Sequence, residues 1–84
     1  MNLARPIVIV DRRTYRRSRQ KIATLMDQGE YTRAKSGLTA AMLWLRYELR
    51  TGPKRHRIRY AADLEQLEAL EADVNALLGL TGPQ

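Results

Sequence analysis

Residues 29–52 read GEYTRAKSGLTAAMLWLRYELRTG, a helix-length segment bounded by glycines. At about 100° per residue, Tyr31, Ala34, Leu38, Ala41, Met42, Leu45 and Leu49 form one apolar stripe. Ala40, Leu43, Trp44 and Tyr47 form a second on the roughly opposite side. The spacing predicts a central helix over 31–50, stopped by Thr51-Gly52-Pro53. An ordinary surface helix carries one stripe. Two stripes require cover on both sides, and 84 residues leave little with which to supply it. Self-association is the expected solution, with Leu43, Trp44 and Tyr47 as interface anchors, because Trp and Tyr are enriched at interface hot spots.

Upstream, Gly29 is a helix terminator in the left-handed conformation, and Asp11 is a candidate N-cap. Between them the pattern predicts a basic helix over 12–28. Tyr15, Ser18, Ile22, Leu25 and Met26 share its apolar face, while Arg12, Arg13, Arg16, Arg17 and Lys21 sweep the other side and Arg19 stands at the border. Before it, Ile7-Val8-Ile9-Val10 is β-branched throughout and predicts a short strand over 5–10. One such strand forms no sheet alone. Pairing with a second chain through Ile7 and Ile9 is the economical arrangement.

Downstream, Lys54-Arg55-His56-Arg57-Ile58-Arg59 reads as a basic connector spanning 51–59. An acidic amphipathic helix is expected over 60–79, with Tyr60, Leu64, Leu67, Leu70, Val74, Leu77 and Leu78 on one broad face and Glu65, Glu68 and Asp73 on the other. Residues 80–84 are expected to be a loose tail. The whole is expected to be one small, mainly α domain over 1–84: a short N-terminal strand, a helical hairpin and a C-terminal acidic amphipathic helix, in an intertwined or packed homodimer.

The formal charge of +6 hides a sharp division. Residues 1–59 hold all fifteen Lys and Arg with four acids, a net +11, whereas residues 60–84 hold five acids and no base, a net −5. Such asymmetry points to a basic binding surface beside an acidic element, or to two elements that attract each other. With no cysteine there are no disulfides, thiolate metal sites or cysteine nucleophiles. The single histidine, His56, leaves no histidine-based metal site within one chain. The apolar run near the start is only four residues, short of a signal-peptide core or a membrane span. No membrane association and a cytoplasmic location are expected. A chain this short buries only roughly 60–65% of its unfolded surface, which leaves few residues for an enzyme cleft. No catalytic constellation, glycine-rich phosphate loop or cofactor motif is present, so an enzyme is not expected.

The sharpest chemical signal is DRRTYRRSRQK at 11–21. Arginines three and four apart on a helix align guanidinium forks that bridge successive phosphates. The candidate nucleic-acid contacts are therefore Arg12, Arg13, Arg16, Arg17 and Lys21, joined by Lys54, Arg55, Arg57 and Arg59. The blander account of the same charges is a solvated helix face, or cis partners for the acidic helix.

Strand, helix, turn, helix over residues 5–50 resembles the ribbon-helix-helix family, closest to its antitoxin branch. The resemblance is carried by Gly29-x-Tyr31-x-x-Ala34 and the apolar series Leu38, Ala41, Met42 and Leu45. It implies an intertwined dimer with a two-stranded ribbon, a central second helix, and a C-terminal segment that binds a protein partner such as a toxin. The same turn is also similar to a single tetratricopeptide-type helical hairpin. The expected function is nucleic-acid binding in regulation. The alternative is an adaptor, inhibitor or antitoxin-like chain that binds a protein through the central or acidic helix.

Overall fold

The computed structural model describes residues 8–80. They form three helices, α1 (Arg12–Asp27), α2 (Tyr31–Thr51) and α3 (Arg57–Leu77), with a single 3₁₀ turn at Lys54–His56 leading into α3. The first helix starts where the local chemistry favours it. Asp11 is extended at the N-cap, and its carboxylate accepts from the Thr14 backbone N–H at 2.9 Å. The Thr14 hydroxyl accepts in return from the Asp11 N–H at 3.1 Å, which closes a reciprocal capping box. The backbone hydrogen bond from Thr14 is the main reason the Asp11 carboxyl is held below the usual carboxylate range. At the other end Gly29 adopts φ +74°. Its N–H donates to the Met26 carbonyl and the Glu30 N–H to the Leu25 carbonyl, the paired bonds of a Schellman turn.

The middle helix supplies most of the core. Ala34, Gly37, Leu38, Ala41, Met42 and Leu45 are all buried. The small residues let neighbouring backbones approach, and the Leu and Met side chains fill the space between. Truncating Leu38 or Leu45, each with no exposed surface, to Ala costs about 2–5 kcal/mol by lost burial and cavity formation. Tyr15, Ile22 and Leu25 of α1 pack on this face together with Tyr60, Leu67 and Val74 of α3.

Two expectations change. No strand forms among the described residues: Val8 to Val10 are irregular, and Ile9 is half-buried against the helical core. Positions 5–7 of that expected strand, Ile7 included, lie outside the described residues. The acidic helix begins at Arg57, three residues before the expected start. Gly52 and Pro53 make the whole break, both extended, and the basic run coils at once into the 3₁₀ turn and the first turn of α3.

Successive helices run antiparallel, so α1 and α3 flank α2 and run in the same direction. Side-chain contacts between α1 and α3 advance together along both helices: Arg12 lies over Tyr60, Tyr15 reaches Asp63, and Arg19 reaches Gln66. The N-terminal ends of α1 and α3 therefore share one end of the fold.

Candidate nucleic-acid interface

At that shared end an aromatic column joins all three helices. Trp44 of α2 stacks on Tyr15 of α1 with centroids 5.1 Å apart, and meets Tyr60 of α3 edge-on at 5.4 Å. The His56 ring lies 5.4 Å from Tyr60, and the Arg12 guanidinium sits over the Tyr60 ring at 5.5 Å from its centroid. Residues from the two basic segments thus meet on one aromatic ring. Arg59 stands one turn before Asp63 on the side of α3 that faces α1.

Arg13, Arg16, Arg17 and Lys21 are exposed, and Arg12 is half-buried. Lys54, Arg55, Arg57 and Arg59 are exposed as well. Among the described residues none of these nine cations lies within ion-pair distance of a carboxylate. Three of the five α3 carboxylates are engaged elsewhere. Asp63 pairs with Arg19 at 3.6 Å, Glu68 with Arg46 at 3.3 Å and Glu71 with Lys35 at 3.8 Å. Lys35 also donates to the Asn75 side-chain carbonyl at 2.6 Å. The acidic helix is thus held in cis by three cations outside the nine sequence candidates.

A polar network seams α1 to α3 beneath the basic surface. The Tyr15 hydroxyl donates to Asp63 Oδ2 at 3.1 Å and accepts from Arg19 Nη1 at 3.4 Å, while Arg19 Nη2 donates to Gln66 Oε1 at 3.4 Å. Burial raises the Tyr15 phenol above its usual range, against a lowering pull from Arg19.

Arg33 extends the positive surface onto α2. It lines a cleft of about 240 Å³ with Lys21, Thr24, Leu25 and Gln28. Only the folded hairpin brings Arg33 beside Lys21, and no spacing in the sequence signals that meeting.

The sequence-predicted interface anchors separate into two groups. Leu43 and Tyr47 are 65% and 53% exposed on the outer face of α2. Trp44 is half-buried within the aromatic column, so its main packing lies inside the chain. Among the described residues no three His, Cys, Asp or Glu side chains group to hold a metal ion, and no helix is long and apolar enough to cross a membrane. No protein-family model, curated protein or solved structure matches this chain.

Proposed function

We propose that this chain is a small cytoplasmic regulatory protein that binds nucleic acid by its phosphates. Arg12, Arg13, Arg16, Arg17 and Lys21 of α1 and Lys54, Arg55, Arg57 and Arg59 around the start of α3 make the contacts. One observation carries the reading: Asp63, Glu68 and Glu71 of α3 are paired with Arg19, Arg46 and Lys35, and all nine of these candidate cations are without carboxylate partners among the described residues. Two of the basic segments meet at Tyr60. Such a surface supplies affinity through counterion release and little base readout.

The test is affinity for duplex DNA, single-stranded DNA and RNA at 50 and 200 mM salt. Engagement of about six phosphates predicts a loss of roughly a thousandfold between those salts, and Arg16→Ala with Arg17→Ala weakens binding to every ligand. Weak binding at low salt that the double variant leaves unchanged overturns the reading.

A second reading rests on the exposed pair Leu43 and Tyr47, one turn apart on α2. This apolar strip is the surface on which two copies pack as a homodimer, or on which an adaptor, inhibitor or antitoxin-like chain receives a protein partner. A discrete dimer that purifies free of nucleic acid and binds a single protein favours it.

A further inference from the structure

Arg12 differs from its basic neighbours in where its guanidinium is placed. Its Nε and Nη1 atoms are buried and have no hydrogen-bond acceptor, while the group lies against the face of Tyr60, a residue only 3% exposed. A guanidinium stays charged throughout the physiological range, and an unmet donor on a charged group is costlier than on a neutral one. The ring face offsets part of that cost by cation–π attraction. Arg12 opens the first turn of α1, where the helix dipole disfavours a cation. No carboxylate among the described residues reaches it, and His56, also against Tyr60, adds no negative charge.

A guanidinium left with unmet donors is better served by an anion with two oxygens spaced for its side-on fork, Nε–H with Nη2–H, as a phosphate offers. We infer that Arg12 is the anchoring phosphate ligand of the surface: it exchanges the Tyr60 ring for a phosphate, with its Nε–H and Nη2–H each donating to one oxygen while the outward swing brings Nη1–H into water. Arg13 and Arg16 beside it, and the cations at the start of α3, then act as point charges around the anchored group. The inference rests on the nucleic-acid reading for its source of phosphate; the shared chemistry is that of phosphate itself.

The experiment follows the arginine Nε–H resonances of the full chain by ¹H–¹⁵N correlation, at 50 mM salt, during titration with a 20-nucleotide single strand and, separately, with inorganic pyrophosphate. The Arg12 signal is assigned by its loss in Arg12→Lys. That signal is expected to shift and saturate with the oligonucleotide. Arg12→Lys, which keeps the charge but loses the fork, weakens oligonucleotide binding about tenfold, while Arg46→Lys on the seam between α2 and α3 binds as the wild type does. The wild-type resonance does not depend on how any variant folds. An oligonucleotide that binds without moving this resonance, or with equal affinity for Arg12→Lys, overturns the inference. If Arg16→Ala with Arg17→Ala still weakens that binding, the nucleic-acid reading stands without it. A shift with pyrophosphate alone upholds Arg12 as a phosphate ligand and overturns the nucleic-acid reading. Binding of neither ligand overturns both.

Discussion

The Trp44 indole stacks on the Tyr15 ring at 5.1 Å, with the two planes 21° from parallel. The contact ties α2 to α1, and the edge of Trp44 against Tyr60 ties the same side chain to α3. One residue thus belongs to both helix–helix seams. Its neighbours on the strip, Leu43 and Tyr47, point away from both. The apolar strip that predicts an external interface is therefore divided, with one residue turned inward as a wedge and two left at the surface.

Trp44→Ala is expected to destabilise the fold by about 2–4 kcal/mol, through lost burial and two lost aromatic contacts. Trp44→Phe keeps a ring against Tyr15 and recovers a large part of that loss. Urea denaturation followed by far-ultraviolet circular dichroism measures both, since neither variant retains the tryptophan. Equal stability of Trp44→Ala and the wild type would show that the column contributes nothing to folding.

The Tyr15 phenol makes stability depend on alkaline pH. Burial raises its pKa in the folded chain above the unfolded value. The folded state therefore holds this proton more tightly than the unfolded state does. Its contribution is complete below the ordinary tyrosine pKa of about 10, and is lost as pH rises through the higher folded value. An absorbance titration should find a late tyrosine step, above the ordinary tyrosine range, together with a fall in thermal stability across that window. Tyr15→Phe abolishes the late step. At neutral pH it costs about 1 kcal/mol for the hydrogen bond to Asp63.

The division between what the sequence discloses and what it conceals follows the range of the interactions. The Asp11 cap, the Gly29 turn and the Ala34–Leu45 stripe are local, each decided within a turn or two of helix, and the residues alone disclose them. The cover on an apolar face is not local. Trp44 meets Tyr15 and Tyr60 from other helices, and periodicity names its face without naming what lies on it. The start of α3 is hidden for an electrostatic reason: Lys54 to Arg59 place cations at a helix N-terminus, against the dipole, so the run reads as a connector. The nine candidate cations are visible as residues, but their freedom from carboxylates emerges only when Arg19, Lys35 and Arg46 are seen to hold Asp63, Glu71 and Glu68.

The exposed pair on α2 makes the proposed dimer testable without any ligand. If two copies pack through Leu43 and Tyr47, thermal stability rises with protein concentration, because association adds to the folding equilibrium. Leu43→Glu combined with Tyr47→Glu should halve the mass measured by light scattering and remove that dependence, while leaving the helical signal intact. A wild-type chain of monomer mass at high concentration excludes the dimer.

The ion pair between Asp63 and Arg19 offers a way to add to the proposed phosphate-binding surface rather than subtract from it. Arg19 shares α1 with the basic cluster, but its guanidinium is held by Asp63, Gln66 and the Tyr15 hydroxyl. Asp63→Asn removes the charge and keeps a carbonyl oxygen to accept from Tyr15. With its carboxylate neutralised, Arg19 becomes available to a further phosphate, and the slope of log affinity against log salt for duplex DNA should steepen by about 0.9. Glu68→Gln is the matched control, because it frees Arg46 on the seam between α2 and α3, away from the basic surface, and should leave the slope unchanged. Stability should fall by no more than about 1 kcal/mol in either variant, since both pairs are partly solvated. An unchanged slope in Asp63→Asn, with the fold intact, would mean that the nucleic acid does not run along the Arg19 side of α1.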